Sequence, residues 1–314
     1  MDFVEQKQEL LPGLVSIMIP TYERPVFFEK ALQSALSQTY SYYEVIVCDN
    51  SRDEETAVLM QKYRSNSHVR YVRNREARTK AENFMPFEHL ARGEYLQWLM
   101  DDDILAPGKL SLMVRCFRKE PKVVLVTSRR GMIDAEDNYL GQRAQELQID
   151  GLYGVYTGRE LGNCMLEDYV NPIGEPSAAL FRRRDLRNHY WRAESRGYRA
   201  ISDVAMWLEL LEKGECAVFR EPLSLYRRHE AQEGQKDDVI LLSRIEWFHL
   251  ATEYYDRRIF LERWGSYTRL MNGLCKEYET VIWPERKRFS LCPNWERYLL
   301  CIWKMRGLLD NGPA

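Results

Sequence analysis

Along the first 130 positions, apolar residues recur with two periods in alternation. Residues 15–20 (Val-Ser-Ile-Met-Ile-Pro) form a short apolar run between Gly13 and a Pro-Thr-Tyr-Glu-Arg-Pro loop, the pattern of a buried strand. Phe28, Ala31, Leu32, Ala35 and Leu36 then fall at helical spacing. A second apolar run over 44–48 ends in Asp49-Asn50-Ser51. A helix is expected from Asp53 to about Arg64, a third strand over 69–72, and a helix from about Thr79 to Ala91 interrupted at Pro86. Residues 95–100 read as a further strand that stops at Asp101-Asp102-Asp103, before the turn residues Ala106-Pro107-Gly108. This alternation predicts an α/β fold with a mostly parallel sheet and right-handed crossovers. Ligands of such sheets bind beyond the carboxyl ends of the strands, which sets Thr21 to Arg24, Asp49 to Ser51 and Asp101 to Asp103 along one rim.

Three adjacent carboxylates repel one another, so something positive should meet them. A hard divalent cation such as Mg²⁺ or Mn²⁺ would serve; the plain alternative is a solvated acidic turn that caps the helix near Pro107. Neither a Gly-x-Gly-x-x-Gly nor a Gly-x-x-x-x-Gly-Lys-[Ser/Thr] motif occurs, so side chains and a metal must hold the phosphates of any bound nucleotide. Asp49 is suited to accept hydrogen bonds from a base or ribose, or it closes an Asx turn.

Further along, residues 123–126 read as a strand before a hairpin around 135–137, and 141–158 as a polar, Gly-rich loop. Residues 171–177 (Asn-Pro-Ile-Gly-Glu-Pro-Ser) form a rigid turn before the strand-like 178–181. Val204, Trp207, Leu208 and Leu211 make a helical stripe with Ser202 as its N-cap. Asp203 in the first turn either complements the helix dipole or acts as a general base. Residues 221–229 alternate and end in Arg227-Arg228-His229. From about Asp238 the chain is helical and rich in Trp and Tyr. That suggests helices packed on the catalytic part, a homodimer contact, or a face resting on a membrane surface.

Composition narrows this only a little. The chain has 314 residues, 45% apolar and 29% charged, with a formal net charge of −2, so no basic field points to nucleic acid. Seven irregularly spaced cysteines suit reduced thiols better than a disulfide or zinc framework. The N-terminus lacks signal-peptide features and no apolar run has spanning length, so a cytoplasmic site is expected, at most peripheral at the inner face of the membrane.

The stretch 15–24, Gln38-Thr39-Tyr40, the stretch 44–51 and Gly93-Glu94-Tyr95 ahead of the Asp triplet together resemble family 2 glycosyltransferases, in order and spacing. The resemblance implies a GT-A fold and inverting transfer from a nucleotide-diphosphate sugar, UDP or dTDP, to a hydroxyl of a glycan, lipid-linked glycan or metabolite. It implies that Pro20, Thr21, Tyr22 and Arg24 lie near the nucleotide, Asp49 at the base and Asp101 on the ribose side. Asp102 or Asp103, with His229, would hold Mn²⁺ or Mg²⁺; Arg228 would meet the diphosphate, and Asp203 would be the base. Two positions depart from the family pattern. Its commonest acidic motif, Leu-Asp-x-Asp-Asp, sets its first Asp on Met100, and Ser202 stands where a Glu is usual. The expected layout is a GT-A domain over 1–235, divided into a nucleotide-sugar part (1–130) and an acceptor part (131–235), with a helical region over 236–314. A nucleotidyltransferase would share the sheet and the metal but carry a basic Gly-rich loop after the first strand, unlike residues 20–25. A module that binds nucleotide sugar without turnover is the third reading.

Overall fold

The computed structural model describes residues 10–143, 147, 149–186, 197–230, 234 and 236–312. Its strands are β1 (Leu11–Thr21), β2 (Tyr43–Asp49), β3 (Val69–Arg73), β4 (Gly93–Trp98), β5 (Ile104–Leu105), β6 (Val123–Ile133), β7 (Tyr139–Arg143), β8 (Tyr153–Tyr156), β9 (Leu180–Arg182) and β10 (Glu215–Arg227). The helices are α1 (Pro25–Leu36), α2 (Glu55–Met60), α3 (Lys80–Phe84), α4 (Phe87–Leu90), α5 (Lys109–Lys119) and α6 (Gly158–Glu167), then α7 (Ser202–Leu211), α8 (Asp237–Arg257), α9 (Trp264–Glu277), α10 (Arg286–Phe289) and α11 (Trp295–Asn311).

Among the described residues the strands form one sheet in the order β3-β2-β1-β4-β9-β6-β10-β5, with β7 on β6 and β8 on β10. β1 to β4 pair in parallel, as does β6 with β10, whereas β5, β7, β8 and β9 are antiparallel. The expected α/β sheet is therefore present, parallel in its first half and mixed in its second.

Strand alternation explains the two layers. Val15, Ile17, Ile19, Val45 and Val47 face a cluster with Phe28 and Leu32 of α1 and Met113 and Phe117 of α5. Met18, Ile46, Cys48, Leu96 and Trp98 face the opposite cluster with Phe84, Phe87 and Trp207. That second cluster runs without a break into Leu241, Ile245, Trp247 and Tyr254 of α8 and Tyr298 of α11. Each such side chain, fully buried, contributes roughly 1.5–3 kcal/mol. Most aromatic residues of the C-terminal helices are thus used in packing, although Trp283 and Trp303 stay exposed. Among the described residues no helix is long and apolar enough to cross a membrane.

Local chemistry sets the boundaries near the site. Thr79 and Glu82 form a reciprocal capping box at α3, and Pro86 separates α3 from α4 as expected. Two expectations need correction. The 141–158 segment holds the end of β7 and all of β8, because Tyr153, Gly154, Val155 and Tyr156 pair with β10; positions 144–146 and 148 lie outside the described residues. Ser202 is also not the cap of α7. Ile201 occupies that position, without a side-chain capping bond, and Ser202 is the first helical residue.

Candidate active site

Parallel pairing of β1 with β4 sets Met18 level with Trp98, which brings Thr21 level with Asp101 three residues on. Thr21 Oγ1 donates to Asp101 Oδ2 at 2.9 Å, and the Tyr22 N–H reaches the same oxygen at 3.3 Å. Arg24 Nη1 lies 3.1 Å from Asp102 Oδ2 and 3.5 Å from Asp101 Oδ1. On the other side β10 runs antiparallel to β5 with Leu225 opposite Ile104, so Arg227 returns against the acidic loop. Its N–H donates to Asp103 Oδ1 at 3.1 Å and its Nε to the Asp102 carbonyl at 2.8 Å. His229 Nε2 lies 3.0 Å from Asp102 Oδ2.

Burial works against full ionisation of this loop. Burial first, then the Asp102 charge, push the Asp101 carboxyl up to about 7 against the pull of Arg24 and Thr21. The same two causes hold Asp103 well above the usual carboxylate range, although the Ser177 hydroxyl and the Arg227 N–H oppose them. Behind Asp103 sits Lys109, fully buried, with Nζ donating to the Ala178 carbonyl at 2.6 Å. Burial pushes this amine down to about 7, and Asp103 resists the shift.

The turn over residues 171–177 ties this loop to α7. Ser177 Oγ accepts the Met100 N–H at 2.9 Å, and at the other end Asn171 Nδ2 donates to Asp203 Oδ2 at 3.2 Å. Between them Trp207 Nε1 donates to the Gly174 carbonyl at 2.9 Å, and Thr127 Oγ1 to that of Ile173 at 2.7 Å. Gly174 has φ +97°, and a Cβ there would stand 1.4 Å from Arg130 Nη1, so only glycine fits. Asp203 is half-buried in the first turn of α7. Burial lifts its carboxyl to about 6, and Glu175 adds to the rise. Its own N–H, that of Val204 and the charge of Lys80 oppose it.

A cavity of about 540 Å³ joins these groups. Pro20, Thr21, Tyr22, Arg24 and all three aspartates 101–103 line it, as do Glu175, Ser202 and Asp203. Three expected site residues lie off its wall. Asp49 is fully buried, and its carboxylate takes the Tyr71 hydroxyl at 2.6 Å, Arg73 Nη1 and the Ser51 N–H at 2.8 Å. Arg228 is exposed, and its backbone N–H bonds to Ile133. The arginine that meets the acidic loop is instead Arg227, buried with its guanidinium 4.8 Å from the Phe27 ring centroid. Strand parity marks it in the sequence, because Arg227 and His229 stand two residues apart and share a face. His229, the third, reaches the loop through Asp102 Oδ2.

Among the described residues no three His, Cys, Asp or Glu side chains converge as a metal cage. Asp103 lines the cavity too, but it is 2% exposed and its Oδ1 already accepts the Arg227 N–H. Asp102 with His229 is the remaining pair. Mg²⁺ and Mn²⁺ commonly take one or two protein ligands and complete their shell with phosphate oxygens and water, so this donor set beside an acidic loop fits either ion.

Several known proteins are similar to this chain. CgeD of Bacillus subtilis is 26% identical over 143 residues, 42% of this chain and 32% of CgeD. Chondroitin synthase of Escherichia coli is 31% identical over 128 residues, 40% of this chain and 18% of that enzyme. The chain thus spans about a third or less of these two relatives. The crystal structure of S. aureus TarS 1–349 with UDP-GlcNAc shares the fold, with a TM-score of 0.62 at 14% identity over 93% of this chain and 80% of that one. The family model described as Glycosyl transferase family 2 matches residues 16–190, more than half of the chain, and the protein therefore belongs to that family.

Proposed function

We propose that the protein is an inverting glycosyltransferase that moves a sugar from a nucleotide-diphosphate sugar to an acceptor hydroxyl, with Asp203 as general base. The observation that carries this reading is that the acidic strand end and Asp203 line one cavity and are joined by one rigid turn. Family membership supports the reaction class, and the UDP-GlcNAc bound by TarS supports UDP sugars as the first donors to try. Thr21 and Arg24 fix Asp101 and Asp102 at the donor end. Near neutral pH Asp203 is ionised and able to take the acceptor's proton as the new C–O bond forms and the diphosphate departs from the opposite side of the anomeric carbon. Asp102 and His229 would hold Mn²⁺ or Mg²⁺, which when bound offsets charge on the leaving diphosphate.

A thermal-shift screen of nucleotide diphosphates and their sugars, with and without Mn²⁺, tests this. A ligand that binds only the native state raises the melting temperature. One nucleotide should stabilise the protein in a Mn²⁺-dependent way, and Asp102→Ala should abolish that gain. Stabilisation by no nucleotide would sink the transferase reading.

A further inference from the structure

The wall beside Asp203 carries cationic and hydroxyl groups that the proton transfer itself does not use. Arg199, four residues before Asp203, is exposed and lines the same cavity; among the described residues its guanidinium has no ion-pair partner. Its backbone is held firmly. The buried Glu246 of α8 accepts the N–H groups of Arg199, Ala200 and Ile201 at 2.8, 2.8 and 3.0 Å. Ser202 follows, 3% exposed on the cavity wall, and its hydroxyl has no hydrogen-bond partner among the described residues. Lys80 lines the cavity as well, close enough to Asp203 to hold its carboxyl down against burial. The donor end has its own cation, Arg24, committed to Asp101 and Asp102.

We infer that Arg199, Ser202 and Lys80 form a subsite for an anionic group, a phosphate or a carboxylate, carried by the acceptor next to the hydroxyl that Asp203 deprotonates. This rests on the assignment of Asp203 as the base. Guanidinium and ammonium groups suit such anions by charge and donor geometry, and the Ser202 hydroxyl supplies a further donor. The Lys80 charge, which already acts on Asp203, also offsets the repulsion that this carboxylate would exert on a charged acceptor.

Isothermal titration of glycerol 3-phosphate, with glycerol as the neutral control, into enzyme saturated with nucleotide diphosphate and Mn²⁺ tests the subsite. Glycerol 3-phosphate should bind at least about tenfold more tightly than glycerol, and Arg199→Gln should weaken it by about fivefold or more, the scale of one charge-assisted contact. Nucleotide affinity should stay within about twofold in that variant. Sodium glucuronate, titrated in the same way, separates a carboxylate from a phosphate preference. Displacement of glycerol 3-phosphate by the nucleotide, or equal affinity in Arg199→Gln, would overturn the inference. Should no nucleotide bind, the transferase reading fails by itself, and Arg199-dependent binding to the nucleotide-free enzyme still decides the subsite.

Discussion

Asn171 and Asp203 stand 32 residues apart in sequence, yet the Asn171 amide donates to Asp203 Oδ2 at 3.2 Å while its own carbonyl oxygen accepts the Gly174 N–H at 2.9 Å. The second bond fixes which end of the amide faces the carboxylate, so Asn171 orients the Asp203 side chain. A donor to the ionised form also favours that form. Asn171→Ala should lower the transfer rate about 10- to 100-fold and move the acidic limb of its pH profile upward. Asn171→Asp should move that limb further, by placing a like charge against Asp203. An unchanged profile in both variants would leave Asn171 a purely structural role.

Asp203 itself should show opposed effects on activity and stability. Its carboxyl titrates near 6 in the folded protein against an ordinary 3.8, so the native state holds this proton more tightly than the unfolded chain does. Stability from this group is complete below about pH 3.8 and is lost as pH rises through about 6. With Asp203 as the proposed base, activity should run the other way, rising through about pH 6 as its carboxyl ionises. Asp203→Asn should therefore abolish transfer, by roughly 10²–10⁴-fold or more, and raise the melting temperature at pH 8 but not at pH 4. The separation corresponds to about 3 kcal/mol at most. Because Asp203 is only half-buried, solvent screening reduces the expected gain to about 1–2 kcal/mol. Equal melting temperatures at pH 8 would contradict the raised pKa.

The parts of this site that repeat a local pattern were legible in the sequence. Apolar runs located β1, β2 and β4, and the strand-end rule set Thr21 beside Asp101, where the structure has them. What was not legible depends on pairing between distant segments. Asp49 ends its strand as read, but parallel pairing sets it level with Arg73, and that neighbour occupies its carboxylate. The 141–158 segment looked like a loop because its Gly and polar residues hide a strand that forms only against β10. Glu246 gave no signal, because a lone glutamate in an amphipathic helix reads as surface until the loop over 199–201 closes on it.

Two adjacent arginines give a sharp contrast. Arg227 is fully buried; its Nε serves the Asp102 carbonyl, its Nη1 the Asp134 carbonyl at 2.8 Å and the Asp137 carboxylate at 2.5 Å. Removing it takes a donor from the part-buried Asp102 and Asp134 carbonyls and empties the space its buried side chain fills. Arg227→Ala should cost about 2–3 kcal/mol of stability and disturb the acidic loop. Arg228 points to solvent, and Arg228→Ala should change stability by less than about 0.5 kcal/mol. Denaturant midpoints of the two variants check this directly. A strong loss of donor affinity in Arg228→Ala, with Tm unchanged, would instead restore it to the diphosphate.

The C-terminal helices reach the cavity wall through Glu246. Its carboxylate is 2% exposed and collects three consecutive backbone N–H groups from 199–201, the residues that lead into Ser202 and Asp203. Glu246→Gln keeps the shape but gives one carbonyl oxygen where two carboxylate oxygens accepted, and it turns an NH₂ toward N–H donors. A loss of about 2–3 kcal/mol follows from donors left unsatisfied. The loop should loosen while the donor end, built from β1 and β4, keeps its shape. We therefore expect KM for the acceptor to rise and kcat to fall, with nucleotide affinity within about twofold of wild type. Hydrogen exchange should report faster opening at Arg199, Ala200 and Ile201 and no change at Thr21 or Tyr22. Equal loss of nucleotide and acceptor binding would mean that Glu246 supports the whole fold and does not specifically hold the wall that carries Asp203.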